Sequence, residues 1–91
     1  MKAEQGVERY LCRRVKERRG MCIKLTGYNG IPDRLVVTSD GRCIFIEMNV
    51  DGGRVAPIQS AIHYKLRLMH QSVYVLWDYK QVDEFIEKEA I

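Results

Sequence analysis

Residues 30–49, GIPDRLVVTSDGRCIFIEMN, decide the fold of this chain. Two runs rich in β-branched and other apolar side chains flank the loop Ser39-Asp40-Gly41, and strands are enriched in such side chains. A three-residue loop whose glycine adopts the left-handed conformation is a common connection between antiparallel strands. The stretch therefore predicts a β-hairpin with strands at 33–38 and 42–48.

The register of this hairpin brings two acidic residues together. If Thr38 pairs with Arg42, counting outward sets Asp33 directly opposite Glu47. Side chains at opposed positions have Cβ atoms about 4.5–5.5 Å apart on one face of the sheet. Two carboxylates at that separation repel each other unless a cation lies between them. The arrangement therefore predicts a divalent-metal site.

The chemistry of the two acids suggests which ion the site binds. Carboxylate oxygens are the hard ligands that Mg²⁺ or Mn²⁺ prefers, and the backbone carbonyl of Met48 at the same strand end could add a third ligand. The alternative is that Asp33 merely follows a proline turn and that Glu47 ends its strand in water. An acid directly after Phe45-Ile46 on an interior-facing strand is costly without a partner, which favours the metal site.

The segments around the hairpin show the periodicities of helices and buried strands. Val7, Leu11 and Val15 recur at helical spacing and form one apolar stripe. A second predicted stripe comprises Ile58, Ala61, Ile62, Leu66 and Met69. Both faces of the hairpin are largely apolar, so helices are expected on both sides of the sheet. The predicted elements are a helix at 3–19, a strand at 21–25, the hairpin, a helix at 57–70, a strand at 72–77 and a helix at 79–89.

Size and charge indicate a small domain with a polyanionic partner. The 91 residues suffice for one domain with one hydrophobic core, which we expect to span 1–91. The net charge is +3, and basic residues are concentrated between Arg9 and Lys24. This distribution favours a nucleic acid, although a solvated helix face is an equally simple explanation. If DNA lies along the first helix, the predicted phosphate contacts are Arg13, Arg14, Lys16, Arg18 and Arg19.

The cysteines and the apolar runs bear on the cellular setting. Cys12, Cys22 and Cys43 are odd in number and lack the Cys-x-x-Cys spacing of zinc sites. A disulfide framework is therefore not expected, and a reducing cytoplasm is the predicted environment. No apolar run approaches the roughly 18 residues that a membrane span requires, and no signal peptide is recognisable.

Three motifs together resemble those of a known nuclease family. Gly30-x-Pro32-Asp33, Phe45-Ile46-Glu47-x-Asn49 and Gln59 on the following helix are similar to the motifs of the VRR-Nuc family of the PD-(D/E)xK superfamily. The similarity runs from about Glu8 to Phe85. The resemblance implies an α/β restriction-endonuclease-like fold, in which an αβββαβ core has a mixed central sheet flanked by helices. It also implies Mg²⁺- or Mn²⁺-dependent hydrolysis of phosphodiester bonds.

The resemblance also assigns roles to individual residues. Asp33 and Glu47 would hold the metal, and Gln59 at the helix start would orient water or a phosphate oxygen. Glu8 matches an acid with which some relatives complete the metal site. The alternatives are that Gln59 and Glu8 are ordinary polar residues on helix surfaces.

The chain departs from the family at the motif lysine, which is Asn49 here. Asparagine can hydrogen-bond water but supplies no positive charge, so losing the lysine is expected to cost about 10²–10³ in rate. Three explanations remain open. Lys24 takes over the role from a position facing the same side as the acids, the change is an engineered or selected inactivation, or the protein binds DNA without cutting it.

The two histidines are less suitable as metal ligands. His63 and His70 lie seven residues apart on the same predicted helix, a rise of about 10.5 Å. That separation is too large for them to share an ion. Both are predicted to be surface or partly buried helix residues.

These observations predict a DNA endonuclease that uses Mg²⁺ or Mn²⁺. A domain with one site must pair or act twice to cut both strands, so a homodimer is expected. The resemblance to stand-alone family members is compatible with a branched substrate such as a Holliday junction or a flap. The first rival hypothesis is a catalytically silent DNA-binding module of the same fold. The second is a basic scaffold protein that binds no metal.

Overall fold

The computed structural model describes residues 3–50 and 52–91 of the chain. The order of elements is the predicted one, and most boundaries lie within one or two residues of the predicted positions. The elements are α1 (Ala3–Glu17), β1 (Met21–Lys24), β2 (Arg34–Val37), β3 (Cys43–Met48), α2 (Pro57–Leu68), β4 (Ser72–Leu76) and α3 (Tyr79–Lys88).

The strands form a mixed sheet in the order β1-β2-β3-β4. β1, β2 and β3 pair antiparallel, whereas β4 runs parallel to β3 because α2 carries the chain back across the sheet. In the hairpin Val37 pairs with Cys43, and the backbone N–H of Thr38 donates to the carbonyl of Arg42 at 2.8 Å. Gly41 in the connecting loop has a φ of 92°. The predicted register and the left-handed glycine are both confirmed.

One face of the sheet packs against α1 and α3 and forms the main core. Alternate residues of β2 and β3 point into it, and the α1 stripe of Val7, Leu11 and Val15 is 0–2% exposed, as predicted. Each such side chain contributes about 1.5–3 kcal/mol when fully buried. The buried members of this core are Val7, Leu11, Val15, Val36, Ile44, Ile46, Met48, Leu76, Val82, Phe85 and Ile86.

The opposite face carries α2. Two predictions about this face were partly wrong, namely the buried stripe of α2 and the covering of the sheet by helices on both sides. Ile62 is buried as expected, but Ile58 is 48% and Met69 is 61% exposed. The face of α2 that is turned toward the sheet is therefore not the face that carries the most apolar residues. On the same face of the sheet, Met21 and Ile23 of β1 are exposed, because β1 is the edge strand farthest from β4, against which α2 packs. On this face, α2 therefore covers only part of the sheet.

Within the part of the chain that the structure describes, none of the helices combines the length and apolarity needed to cross a bilayer.

Candidate active site

Asp33 is fixed at the point where the hairpin ladder ends. Pro32 has no backbone N–H to donate to β3, and the side chain of Asp33 takes the place of the next backbone acceptor. Oδ2 of Asp33 accepts a hydrogen bond from the backbone N–H of Met48 at 2.8 Å. On its other side the Asp33 carbonyl accepts from the N–H of Leu25 at 2.9 Å. The hydrogen bond from Met48 thereby fixes the Asp33 carboxylate at the end of β3.

The register sets Asp33 opposite Glu47, one pair beyond the Arg34–Ile46 pair that closes the described ladder. The Thr38–Arg42 ladder bond marks a hydrogen-bonded pair, and the two pair types alternate along antiparallel strands. Extended by one pair beyond Arg34 and Ile46, the register assigns Asp33 and Glu47 to a non-hydrogen-bonded position, where Cα atoms in regular ladders are about 4.5 Å apart. This is the closer of the two pair types for side chains.

Glu47 is held by two side chains of α2. Its side chain is buried, and Gln59 donates from Nε2 to Oε2 of Glu47 at 3.0 Å. Nε2 of His63, one helical turn further on, lies 3.3 Å from Oε1. Oε1 of Gln59 accepts from the backbone N–H of Ala56 at 2.9 Å, which directs the NH₂ group of Gln59 toward Glu47. Each carboxylate oxygen of Glu47 thus has a contact from α2.

His63 is a site residue that the sequence analysis did not identify. It is only 3% exposed, whereas the sequence predicted a surface or partly buried residue. Burial lowers the pKa of His63, and the positive charge of Arg67 lowers it further, while Asp33 acts in the opposite direction. His70, by contrast, is exposed. The i, i+4 spacing of Gln59 and His63 was the available signal, because it puts both side chains on one face of the helix.

The loop before Asp33 is pressed against α2 at Gly30. Gly30 has a φ of 84°, and a Cβ there would lie 2.8 Å from the carbonyl oxygen of Ile58 and 2.9 Å from the side chain of Ile62. A side chain would violate both the backbone conformation and this close approach. The glycine of the Gly30-x-Pro32-Asp33 motif therefore sets the spacing between Asp33 and the helix that holds Glu47.

Asn49 extends the β3–β4 ladder by one bond, from its N–H to the carbonyl of Leu76 at 3.0 Å. Its Oδ1 accepts from the backbone N–H of Val50 at 2.9 Å. A Cβ at Gly53 would lie 2.6 Å from the same oxygen. The side chain at the position of the motif lysine is thus used to shape the following loop.

Lys24 does not face the two acids, and the expectation about its orientation was wrong. Lys24 pairs with Arg34, which pairs in turn with Ile46. Residues paired across strands share a face, and the next residue along β3, Glu47, points to the opposite one. Lys24 is therefore directed toward the α1 side of the sheet.

Glu8 is engaged in an ion pair. Its Oε2 accepts from Nε of Arg34 at 2.6 Å, and both side chains are 19% exposed. Arg34 also donates to the carbonyl of Cys22 at 3.3 Å. This pair lies on the α1 side of the sheet, so Glu8 is separated from Glu47 by the thickness of the sheet.

The basic residues of α1 divide into two groups. Arg14 pairs with Asp83 of α3 and contacts Tyr10, and Arg18 donates to the carbonyl of Ile91 at 2.8 Å, so both cations join α1 to the C-terminal part of the chain. Lys16, Arg13 and Arg19 are exposed, with Arg13 placed 5.2 Å from the centre of the Tyr10 ring. Arg18 and Arg19 lie at the end of α1 that meets Gly20 and Val37, which is the end of the sheet opposite to Asp33.

The residues that could hold a cation are Asp33 and Glu47, with the carbonyl of Met48. Among residues 3–50 and 52–91 there is no group of three or more His, Cys, Asp and Glu side chains arranged around a common ion position. A pair of carboxylates is nevertheless sufficient for Mg²⁺, which usually retains several waters and binds protein through one or two carboxylates. The donor set therefore fits a hard divalent ion.

Comparisons with known proteins show what this chain is similar to. A protein named "Putative nuclease p44", from Acyrthosiphon pisum secondary endosymbiont phage 1, is 33% identical over 75 residues, which cover 80% of this chain and 81% of the phage protein. A solved structure described as a VRR_NUC domain superposes with a TM-score of 0.89 at 31% identity, and the match covers 96% of this chain and 97% of the solved one. No protein-family model matches the chain. The solved domain shares the fold over almost its whole length.

Proposed function

This chain belongs to the VRR-Nuc family of the PD-(D/E)xK nuclease superfamily, and we propose that it is a nuclease that hydrolyses DNA phosphodiesters at Asp33 and Glu47 with Mg²⁺ or Mn²⁺. The observation that carries the proposal is the register of the hairpin, which sets Asp33 one position beyond the Arg34–Ile46 pair and opposite Glu47, whose side chain is buried. Burial of a carboxylate is costly unless its charge is compensated, and a divalent cation supplies such compensation.

Each residue of the site has a defined task in this proposal. Asp33 and Glu47 would hold the ion, with the carbonyl of Met48 as a third donor, and the ion would supply an activated water and stabilise charge on the scissile phosphate. The N–H of Met48 fixes the orientation of Asp33, and Gln59 fixes that of Glu47. Glu8 is left out of the ligand set because it is paired with Arg34.

Asn49 limits the expected rate. The motif lysine would add positive charge on the face of the sheet that carries Glu47, whereas Asn49 is neutral and its oxygen is bonded to Val50. Lys24 points to the other face and does not replace that charge. We infer an activity reduced by about 10²–10³ relative to a chain with the lysine, by analogy with the loss of one oxyanion donor.

The same observation favours a second candidate function. A chain that keeps the fold and the acids but lacks the lysine could act as a silent DNA-binding module. Such a module would bind through phosphate contacts, and its affinity would fall steeply with salt concentration. Exposed cations that suit these contacts include Arg13 and Lys16 of α1 and Arg19 just beyond its end.

Restoring the lysine separates the two functions. Asn49→Lys, Asn49→Ala and the unmodified chain are assayed for DNA cleavage with Mg²⁺ and Mn²⁺. Weak cleavage by the unmodified chain that rises about 10²–10³-fold in Asn49→Lys and is abolished by adding Glu47→Gln supports a nuclease weakened at one position. Cleavage by Asn49→Lys alone identifies this chain as a disabled nuclease. If all three variants are inert but bind DNA with steep salt dependence, the silent module is correct. The absence of both cleavage and Mn²⁺ binding would instead favour the metal-free scaffold.

Substrate shape and assembly follow from having one site in each domain. A single Asp33–Glu47 pair cuts one strand at a time, so cleavage of both strands of a duplex or of a Holliday junction needs two copies or two successive cuts. We therefore propose a homodimer acting on branched DNA. Mass measurement by light scattering, with and without a four-way junction, tests this assembly, and a monomer in both conditions contradicts it.

A further inference from the structure

We propose that His63 is a positioning residue that holds the carboxylate of Glu47 in the orientation in which it binds the divalent ion. The inference deepens the function proposed above and rests on it. Family membership assigns this chain its two acids and Gln59, whereas the role of His63 is inferred from the contacts of this chain alone.

Two contacts from one helix define the plane of the Glu47 carboxylate. Gln59 reaches Oε2 at 3.0 Å, and Nε2 of His63 lies 3.3 Å from Oε1. A carboxylate with a single hydrogen bond can still turn about its terminal torsion, which is a soft coordinate. With both oxygens engaged from α2, rotation would break one contact or the other. The remaining lone pairs of the carboxylate then keep a constant direction.

His63 is suited to this task because its own position is restrained. The residue is 3% exposed and lies in the middle of α2, so its ring is enclosed on all sides. Since a carboxylate only accepts hydrogen bonds, the contact requires the tautomer that carries hydrogen on Nε2. Hydrogen bonds that orient a metal ligand in this way are typically worth 10–100-fold in metal affinity.

The competing explanation is that His63 only fills space in the protein interior. Substitution by a residue of similar volume distinguishes the two, because packing is then retained while the hydrogen bond is lost. His63→Leu removes the donor. His63→Gln keeps it, since the Gln Nε2 extends about as far as Nε2 of histidine. His63→Asn keeps a polar group but is too short to reach Glu47.

The test measures Mn²⁺ affinity by calorimetry, together with the melting temperature of each variant. We expect His63→Leu and His63→Asn to bind Mn²⁺ at least 10-fold more weakly than the unmodified chain, with His63→Gln within a few-fold of it. His70→Gln is the matched control, because His70 is exposed at the end of the same helix, and it should bind as the unmodified chain does. If His63→Leu fails to fold, the comparison of His63→Asn with His63→Gln carries the test.

The possible failures are distinguishable. If the unmodified chain binds Mn²⁺ and all His63 variants that fold bind it equally well, the positioning role is overturned while the metal site stands. If His63→Gln is as weak as His63→Leu, the loss comes from packing and the role is likewise overturned. If the unmodified chain binds no Mn²⁺, the metal site fails and the role of His63 fails with it.

Discussion

The amide of Gln59 connects the first turn of α2 to the end of β3, because its Nε2 donates to Oε2 of Glu47 at 3.0 Å. The oxygen of the same amide accepts from the N–H of Ala56, which occupies the N-cap position of α2. Only a side chain with both an acceptor and a donor at this reach satisfies the two groups. Gln59 therefore links the start of α2 to the carboxylate of Glu47.

Replacing Gln59 by Glu should destabilise the protein in the absence of metal. The new carboxylate still accepts from Ala56 but has no hydrogen to donate, and it places a second negative charge beside the buried Glu47. We expect a loss of about 1–3 kcal/mol in the free energy of unfolding, the usual cost of a buried polar group left without its partner. Urea denaturation at neutral pH with a chelator present measures it.

Gln71→Glu is the matched control for Gln59→Glu, because Gln71 is exposed beyond the end of α2. It introduces the same charge away from Glu47 and should change stability by less than about 0.5 kcal/mol. Equal effects of the two substitutions would contradict the assigned contact.

Gly30→Ala should be strongly destabilising. The new Cβ would lie 2.8 Å from the carbonyl oxygen of Ile58, and the residue would have to keep a φ of 84°. Gly27 has a similar φ of 87°, but a Cβ there would meet no atom of the described residues within 4 Å, so Gly27→Ala isolates the cost of the backbone conformation. We expect about 1–2 kcal/mol for Gly27→Ala, and a clearly larger loss for Gly30→Ala. If both substitutions lower the free energy of unfolding equally in chemical denaturation, the close approach of Gly30 to α2 does not contribute to stability.

The thiol of Cys12 should react at neutral pH. Its Sγ lies 3.1 Å from that of Cys22, and this hydrogen bond lowers the pKa of Cys12 to about 7, while the pKa of Cys22 is raised. The thiolate is the reactive form, so the alkylation rate of Cys12 should rise with pH and reach half of its maximum near pH 7. The rate with iodoacetamide, followed by peptide mass in a Cys43→Ser background, measures this midpoint.

The contact with Cys22 can be checked in the same assay. Cys22→Ala removes the hydrogen bond that stabilises the Cys12 thiolate, so the midpoint should move upward toward the ordinary value of about 8.5 for a free cysteine. An unchanged midpoint would assign the reactivity of Cys12 to another cause.

The hairpin and its two acids were predictable because their determinants are local. A strand repeats every two residues, and a three-residue loop ending in Gly41 fixes the phase of one strand against the other. Asp33 and Glu47 follow from that phase by counting. The same reasoning failed for Lys24, because the long loop between β1 and β2 does not fix how the residues of these two strands align. An error of one residue in that alignment moves every side chain to the other face of the sheet.

The rotation of α2 was not predictable from its apolar residues. The side turned toward the sheet carries Gln59, Ile62, His63 and Leu66, at the spacing of one helix face. Two of these four are polar, because they contact Glu47. Hydrophobic periodicity instead favoured a stripe that includes Ile58 and Met69, which are exposed. The polar residues Gln59 and His63 thus occupy positions where an amphipathic helix usually has apolar ones. The position of Glu47 on the sheet explains this exception.

The central claim is that Asp33 and Glu47 bind one divalent ion. The most direct measurement is a crystal structure of the protein soaked in Mn²⁺, with anomalous diffraction recorded to locate the ion. We predict an anomalous peak between the two carboxylates, within about 2.0–2.3 Å of an oxygen from each, consistent with a Mg²⁺-type ligand distance. A peak elsewhere, or none between Asp33 and Glu47 at saturating Mn²⁺, would contradict the claim.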